Sequence, residues 1–298
     1  MSDLNVLVIG GLTKDLIKRK SVQSRPGGGA FYCSIAAARM GASVELWTVV
    51  GDEFPKEGIV QIESEGVRVV QLRSTSSIGF VNEIDEVGHR RQWVSSVADR
   101  MINVPLGPLN RFDYVQITPV LGEVDPKVIS AVPPGLTGVE MQGFLRKREI
   151  GPVRMIHPSE MDELLKMRLL VHLSEDELLY FTDSTISEEL QRHSIGAIAL
   201  TRSAKGSFIF SRTSSYFVPA PRIRLIDDVG CGDVYSVTMG ISLADGRPPL
   251  EAAITATSAA TLLAESTRME RLRRGEDFEK RVSLVRDVYQ KYGLASKI

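Results

Sequence analysis

Residues 227–240 read DDVGCGDVYSVTMG, and Gly230 and Gly232 flank Cys231 just before an apolar run that predicts a helix. Glycines at the start of a helix let backbone N–H groups converge on one point, and the helix N-terminus adds positive potential. The segment therefore predicts an anion site, suited to a phosphate, that is formed by Gly230, Cys231 and Gly232.

Asp233 stands at the edge of this predicted anion site. A carboxylate beside a bound phosphoryl group is electrostatically unfavourable unless it takes part in the chemistry. The natural task is to accept a proton from an attacking hydroxyl. The alternative is that Asp233 only caps the helix. Local spacing leaves both interpretations open.

Upstream and downstream of this segment, apolar strand patterns alternate with helical patterns. Residues 5–10 (NVLVIG) predict a buried strand, and residues 30–40 predict a helix that ends at Gly41. Further strands or extended segments are predicted at 43–49, 67–72, 113–117, 136–140, 169–173, 196–200, 207–210, 216–218 and 223–226. Further helices are predicted at 56–66, 125–131, 160–167, 175–181, 185–193, 233–244, 250–264 and 276–291. The alternation predicts an α/β fold with a mostly parallel central sheet, in one domain over residues 1–298.

Residues 78–94 (IGFVNEIDEVGHRRQWV) break this alternation. Two extended segments flank the turn-forming residues 85–88 with no helix between them, which predicts a β-hairpin. In an α/β domain, such a hairpin often stands outside the main sheet as a lid or an interface. The alternative is an edge hairpin of the central sheet.

The composition argues against several classes of protein. The chain has 298 residues, with 36 Lys and Arg against 37 Asp and Glu. This near-neutral balance gives no support for nucleic-acid binding. The two cysteines, Cys33 and Cys231, exclude a disulfide scaffold, and together with the lack of a leader they favour a cytoplasmic protein. No run approaches the roughly 20 apolar residues of a membrane span, so we expect no membrane partner.

Two nucleotide-binding motifs are absent from the sequence. No G-x-x-x-x-G-K-[ST] loop occurs, so the chain is not a P-loop enzyme. Residues 10–15 read GGLTKD after the first predicted strand and contain no G-x-G-x-x-G. A dinucleotide oxidoreductase is therefore poorly supported. The four histidines show no metal-ligand spacing.

Two other segments carry candidate ligand-binding residues. Residues 27–29 are three glycines before the helix at 30–40, a turn that lets a ligand approach the backbone closely. Thr201 and Arg202 follow a predicted strand and offer phosphate donors, and Gly206 allows a tight turn. The alternatives are an ordinary strand-to-helix turn and an ordinary hairpin loop.

Gln142 and Arg146 follow the predicted strand at 136–140. Ligands of doubly wound sheets bind beyond the carboxyl ends of the strands. Arg146 could reach a phosphate or a substrate oxygen there, and the alternative is a surface arginine.

Together and in this order, the segments resemble the ribokinase-like (PfkB) carbohydrate kinase family over nearly the whole chain. The family's second signature, D-T-x-G-A-G-D, corresponds to DDVGCGD at 227–233. Its first signature, a glycine pair before a helix, is matched by Gly28 and Gly29. Asp15 fits the substrate-binding aspartate of the family, and residues 174–177 (SEDE) stand in place of its N-x-x-E motif.

The resemblance implies a three-layer α/β/α, Rossmann-like, ribokinase-type fold with the hairpin at 78–94 as a small lid. It implies an ATP-dependent kinase that transfers the γ-phosphoryl group to a hydroxyl of a sugar, polyol or nucleoside. Asp233 would be the general base, the loop 230–233 the anion hole, and Glu177 would position Mg²⁺ through water. The implied substrate-binding residues are Asp15, Gly28, Gly29, Gln142 and Arg146, and the implied nucleotide-binding residues are Thr201, Arg202 and Gly206. Some relatives form homodimers through their lid hairpins, which leaves a homodimer open here.

The sequence departs from the family pattern at several positions. Tyr32 and Ser174 stand where asparagines are usual, Asp228 replaces a threonine, and Cys231 replaces an alanine. These departures motivate an alternative, a relative that binds nucleotide or sugar without transfer. A third hypothesis is a different α/β enzyme, such as a dehydrogenase. Because Asp233 and both anion-hole glycines are present, we expect catalysis.

Overall fold

The computed structural model describes residues 4–18, 21–85, 90–102, 104, 109–266 and 269–297. The strands are β1 (Asn5–Ile9), β2 (Thr13–Lys18), β3 (Val22–Gly27), β4 (Ser43–Val50), β5 (Arg68–Arg73), β6 (Ile78–Ile84), β7 (Arg90–Ser96), β8 (Tyr114–Ile117), β9 (Thr137–Glu140), β10 (Gly151–Pro152), β11 (Leu170–Ser174), β12 (Ala197–Thr201), β13 (Ser207–Ser211), β14 (Ser214–Val218) and β15 (Leu294–Lys297). The helices are α1 (Gly29–Arg39), α2 (Lys56–Ser64), α3 (Pro126–Ala131), α4 (Met161–Leu165), α5 (Leu178–Phe181), α6 (Ile186–Arg192), α7 (Cys231–Ala244), α8 (Pro249–Ala264) and α9 (Glu276–Tyr292).

A large sheet runs through the molecule in the order β15-β14-β13-β12-β11-β9-β8-β1-β4-β5. The strands from β12 to β5 pair in parallel, and β13, β14 and β15 add an antiparallel edge. The mostly parallel sheet predicted from the alternation of strands and helices is therefore confirmed.

Helices cover both faces of the large sheet, which makes the fold a three-layer α/β/α structure. In β1, Val6 and Val8 belong to the apolar core under α1, α7 and α8, whereas Leu7 and Ile9 belong to the core that α3, α4 and α6 share. Because successive strand residues point to opposite faces, an uninterrupted apolar strand is needed to fill two cores. This is why polar and apolar residues do not alternate along β1.

A second, smaller sheet stands apart from the large one, in the order β10-β7-β6-β2-β3. Its strands β6 and β7 pair antiparallel and form the hairpin predicted at 78–94. Residues 86–89, which include three of the four residues of the predicted turn, lie outside the described residues. The sequence analysis missed β2 and β3, because charged and half-exposed residues and the edge-strand Pro26 hide their strand pattern.

The remaining differences are local. The segment at 223–226, predicted to be extended, forms no strand, and the predicted helix at 175–181 begins as a 3₁₀ turn over Glu175–Glu177 before α5. Across the described ranges, every helix is too short or too polar to cross a membrane.

Candidate active site

The carboxyl ends of the central strands, the first turns of α1 and α7 and the small sheet enclose a cavity of about 230 Å³, called here the central cavity. Its position follows the rule that ligands of open α/β sheets bind beyond the carboxyl ends of the strands. The predicted site residues that line it are Asp15, Gly28, Gly29, Gln142, Arg146, Glu177, Thr201, Gly230, Gly232 and Asp233. Residues far apart in the sequence thus meet at one place.

A second cavity of about 490 Å³, the outer cavity, adjoins the first, and Thr201, Asp228 and Gly232 line both. Its walls are the loop after β12, one side of α8 and the segment 220–225. The segment at 223–226, which was wrongly predicted to be extended, thus contributes to a cavity wall. Small or apolar side chains dominate the lining and include Ala220, Pro221, Ile223, Leu225, Ala260 and Ala264. Cys231 and Gly206 line the outer cavity only.

Arg202, a predicted nucleotide-binding residue, lines neither cavity. Its Nε donates to Glu175 Oε1 at 2.7 Å, and its guanidinium lies over the ring of Phe208, 5.4 Å from the centroid. The structure therefore engages Arg202 in an ion pair beside the site, and its contact with a nucleotide stays a prediction.

The loop before α7 depends on Gly230. Its φ of +85° lies in the left-handed region, and a Cβ at this position would lie 2.3 Å from Cδ1 of Tyr32. Tyr32, one of the departures from the family pattern, thus packs its ring against the bare backbone of Gly230. Only glycine satisfies both requirements.

The first turn of α7 presents fewer donors than the sequence suggested. The N–H of Cys231 donates to the carbonyl of Asp228 at 3.2 Å, and its thiol approaches the carbonyl of Ala260. Burial raises the pKa of this thiol to about 12, with nearby aspartates adding to the effect, which disfavours the thiolate that a nucleophilic cysteine needs. The anion-hole prediction therefore loses the N–H of Cys231 and rests on the N–H groups of Gly230, Gly232 and Asp233.

Asp233 is not the capping residue of α7. The N-cap is Gly230, and Asp233 occupies the third helical position with its side chain on the central cavity. A Cβ on Gly29 would lie 2.9 Å from Asp233 Oδ1 and 2.0 Å from Thr118 Oγ1. The missing side chain of Gly29 thus lets the start of α1 approach the carboxylate directly.

Charged groups surround Asp233 in the cavity wall. Burial raises the pKa of Asp233 well above the usual carboxyl range, and the charges of Glu140 and Glu177 raise it further. His172 and Arg146 act in the opposite direction. A carboxyl with such a pKa is suited to exchange a proton near neutral pH.

The sequence analysis missed Glu140 and His172, which both line the central cavity. They stand opposite each other on the neighbouring strands β9 and β11, and His172 Nδ1 lies 2.6 Å from Glu140 Oε1. Burial would lower the pKa of His172, but the charge and hydrogen bond of Glu140 outweigh it and raise the pKa. Polar residues near the ends of otherwise apolar strands were the signal available in the sequence.

Glu177 reaches the central cavity from the 3₁₀ turn after β11. The backbone N–H of Ser174 donates to Glu177 Oε2 at 2.8 Å, and the two residues form a capping box. Replacement of the usual asparagine by Ser174 therefore preserves the turn that directs Glu177 inward. One oxygen of Glu177 holds this turn, so the other is the one suited to a hydrated metal ion. Within the described residues, no three His, Cys, Asp or Glu side chains form a metal cluster.

The small sheet supplies the opposite wall of the central cavity. Asp15 on β2 is buried there, and a Cβ on Gly27 would lie 2.8 Å from its Oδ2. Arg146 donates to the carbonyl of Val120 at 3.3 Å and lies over Phe80 of β6, 5.7 Å from the ring centroid. Arg146 thus joins the two sheets at the cavity and is not a surface arginine.

An ion pair also joins the small sheet to the loop before α7. Arg25 Nη1 on β3 lies 2.7 Å from Asp227 Oδ2, while Asp227 Oδ1 accepts the N–H of Val229 at 3.1 Å. Both partners are partly exposed, so the ion pair stabilises the contact between the small sheet and the loop by only about 0.2–1 kcal/mol.

Since the resemblance implies a lid that closes over the acceptor, we expect Arg25→Gln to raise the KM for the acceptor by about two- to fivefold, because loss of an ion pair of this strength lets the small sheet part from the loop. Steady-state kinetics measure the change, and the melting temperature should hardly move. Asp227→Asn is the matched variant, and a double variant should add nothing to either single change. Wild-type KM in both single variants would show that the ion pair has no role in closure.

The sequence matches the model of the family described as pfkB family carbohydrate kinase over residues 3–270. The chain belongs to this family. It is 24% identical over 272 residues to the ribokinase of Bacillus subtilis (strain 168), which covers 84% of this chain and 89% of that protein. It is 23% identical over 264 residues to the cytidine kinase of Thermococcus kodakarensis, with 82% and 90% covered.

Solved structures of the ribokinase family share the fold. A pyrophosphate-dependent kinase complexed with a pyrophosphate analog and myo-inositol superposes with a TM-score of 0.75 at 19% identity, over 92% of this chain and 99% of that one. The Arabidopsis thaliana ribokinase complexed with ribose and ATP gives 0.71 at 15% identity, over 94% and 98%. As a member of the pfkB family, the protein is a phosphotransferase with an alcohol group as acceptor.

Proposed function

We propose that the protein transfers the γ-phosphoryl group of ATP to a hydroxyl of a sugar, polyol or nucleoside, with Asp233 as general base. The observation that carries this proposal is the position of Asp233. It is a partly buried carboxylate on a polar cavity, at the first turn of a helix that also borders an apolar cavity. The named activities of the relatives support the same class of acceptor.

The outer cavity fits the nucleoside part of ATP. Its volume of about 490 Å³ and its small, apolar walls suit a flat base, and it opens to the central cavity at Thr201 and Gly232. A pyrophosphate donor, as in some relatives of this fold, would leave such an apolar cavity without a ligand. This cavity therefore favours ATP over pyrophosphate.

The acceptor would lie in the central cavity between the small sheet and α7. We propose that Asp15, Gln142 and Arg146 bind its hydroxyls and that Gly28 and Gly29 let it approach the backbone. The small sheet, including the hairpin at 78–94, would act as the lid of a single kinase domain and exclude water.

During transfer, the acceptor hydroxyl donates a hydrogen bond to the Asp233 carboxylate. As its oxygen forms a bond to the γ-phosphorus, the proton passes to Asp233 and the bond from phosphorus to the β–γ bridging oxygen breaks, which releases ADP. The N–H groups of Gly230, Gly232 and Asp233 stabilise the charge on the phosphoryl oxygens.

The donor set around Glu177 fits a hydrated Mg²⁺, because this buried carboxylate faces the cavity where the phosphates would lie. Bound Mg²⁺ supplies positive charge to the phosphate oxygens. Glu177 would hold it through water, and Ser174 keeps Glu177 in place. We also propose a reducing, cytoplasmic location, because Cys33 and Cys231 are free thiols.

The pH dependence of kcat/KM should report Asp233. A general base must be ionised, so the rate should rise with pH through the raised pKa of Asp233 and then level off. Initial rates at limiting acceptor over a range of pH measure the profile. The residual rate of Asp233→Asn should lack this rise, and a wild-type profile that is flat from mildly acidic to alkaline pH would contradict the assignment.

The experiment that tests the proposed function is ADP release from Mg-ATP over a panel of sugars, sugar acids, inositols, sugar phosphates and nucleosides. Parallel reactions with pyrophosphate test the choice of donor. Turnover of one acceptor with ATP is the expected result. ATP binding without turnover of any acceptor would favour the non-catalytic relative, and binding of a nicotinamide nucleotide would favour a dehydrogenase.

A further inference from the structure

A hydrogen-bonded chain of three side chains crosses the carboxyl ends of three neighbouring strands. Glu140 on β9 lies 2.6 Å from His172 Nδ1 on β11, and His172 Nε2 lies 3.2 Å from Thr201 Oγ1 on β12. His172 is 2% exposed and Glu140 5%, so this pair is shielded from bulk water, and Thr201 is partly buried. The transfer mechanism above gives none of the three a step, and Thr201 enters it only as a predicted nucleotide-binding residue.

The charges around His172 decide in which direction the hydrogen bonds of this chain run. The carboxyl groups of buried Glu140 and Glu177 and of partly buried Asp233 act on the ring, and the ring of Tyr235 lies 5.6 Å from it. A buried carboxylate needs a compensating charge, and the imidazole in contact with Glu140 is positioned to supply it. The surrounding charges favour an imidazolium that donates from both nitrogens.

A donating Nε2 determines what Thr201 can offer to a ligand. Its hydroxyl oxygen then accepts from His172, and its single proton is left to point elsewhere. A neutral imidazole would have the opposite effect, because its unprotonated Nε2 would accept a hydrogen bond from the Thr201 hydroxyl. Only the lone pairs of the hydroxyl oxygen would then face a ligand. Lone pairs repel phosphate oxygens, whereas an O–H group binds them.

Thr201 lies where such a proton would matter, because it lines both the central and the outer cavity. A nucleotide with its nucleobase in the outer cavity and its terminal phosphate near Asp233 must pass Thr201. We propose that His172, held by Glu140, is a positioning residue that makes the Thr201 hydroxyl a hydrogen-bond donor to the phosphates of the donor substrate. The inference rests on the proposed function, because it requires a phosphate donor.

Binding of Mg-AMP-PNP, a non-hydrolysable ATP analogue, tests the inference by calorimetry, with adenosine as a ligand that lacks phosphates. Thr201→Val removes the hydroxyl in an equal volume. His172→Asn places an amide near the Nδ1 position, where it meets Glu140 but not Thr201. Each change should weaken Mg-AMP-PNP binding by about ten- to a hundredfold, because a hydrogen bond to a charged group is lost. Adenosine binding should not change.

Two further variants distinguish positioning from a general structural role. His172→Gln places an amide near the Nε2 position, where it can donate to Thr201, and should recover part of the affinity that His172→Asn loses. The double variant His172→Asn, Thr201→Val should bind no more weakly than either single variant, because both changes break one chain. Melting temperatures identify any variant that fails to fold.

Nitrogen NMR of the histidine rings tests the protonation state in the unaltered protein. Both nitrogens of His172 should carry protons at neutral pH, and a His172→Asn sample identifies its signals. A neutral ring would overturn the inference, as would wild-type affinity for Mg-AMP-PNP in Thr201→Val. Failure of the wild-type protein to bind Mg-AMP-PNP would instead overturn the proposed function, and the inference with it.

Discussion

Replacement of Asp233 by asparagine is expected to lower kcat by at least about 10³-fold, because the acceptor hydroxyl then has no base to take its proton. Asparagine has nearly the same volume and keeps the first turn of α7 intact. Affinities for Mg-ATP and for the acceptor should therefore stay close to those of the wild type. Coupled ADP-release kinetics measure kcat, and calorimetry measures the affinities.

Asp228→Asn is the matched control for this experiment. Asp228 lines the same cavity and belongs to the same loop, and its backbone carbonyl, which accepts the N–H of Cys231, is unaffected by the change. Asp228→Asn should lower kcat far less than Asp233→Asn does. Wild-type turnover in Asp233→Asn, or an equal loss in both variants, would show that Asp233 is not the base.

The stability of Asp233→Asn should move in the opposite direction from its activity. Because the folded protein raises the pKa of Asp233 above its unfolded value, the protonated carboxyl is the form that folding favours. The wild type therefore loses stability as pH rises from the unfolded-state pKa of Asp233 to its raised pKa in the folded protein, whereas the asparagine variant does not. The melting temperature of the variant, relative to the wild type, should increase over this range and then level off.

The large sheet could be predicted because its strands are buried on both faces. β1, β4, β8, β11 and β12 appear in the sequence as nearly continuous apolar runs, which local patterns identify. The small sheet could be predicted only in part. The hairpin of β6 and β7 carries a turn signal, whereas β2 and β3 are polar, half-exposed strands that are held by strand pairing, β2 with β6 and β3 with β2.

The site divides in the same way between local and distant information. Gly28, Gly230 and Asp233 belong to short motifs whose spacing reflects a backbone requirement, so the sequence shows them. Glu140 and His172 meet only because β9 and β11 are neighbours in the sheet, although 32 positions separate them in the chain. Pairing of distant strands decides which polar side chains share a cavity, and one sequence does not encode that pairing in any local pattern.

Cys231 shows how a motif can be matched while its chemistry changes. The sequence placed it in the anion hole between two glycines. In the structure its N–H bonds to Asp228 and its thiol faces the outer cavity, so the loop presents fewer donors than the motif suggests. In the proposed mechanism, the N–H groups of Gly230, Gly232 and Asp233 therefore stabilise the transferred group without that of Cys231.

Replacement of Gly232 by alanine is expected to separate activity from stability. A Cβ on Gly232 would meet only His172 Cε1, at 3.7 Å, an ordinary contact, and the residue has a φ that any amino acid adopts in a helix. Alanine also favours the helix over glycine by about 0.5–1 kcal/mol, so the melting temperature should not fall. The added methyl group, however, occupies the space that the central and outer cavities share.

We therefore expect Gly232→Ala to lower kcat/KM by about 10²-fold, because the phosphoryl group can no longer approach the N–H groups of the first turn of α7. Gly135→Ala is the matched control, since that glycine has open space around it, lies outside both cavities and should tolerate the methyl group with unchanged activity. Steady-state kinetics and thermal melting of both variants check the result. Full activity in Gly232→Ala would place the transferred phosphoryl group away from this turn, whereas a parallel loss of melting temperature and activity would make Gly232 a structural glycine like Gly230.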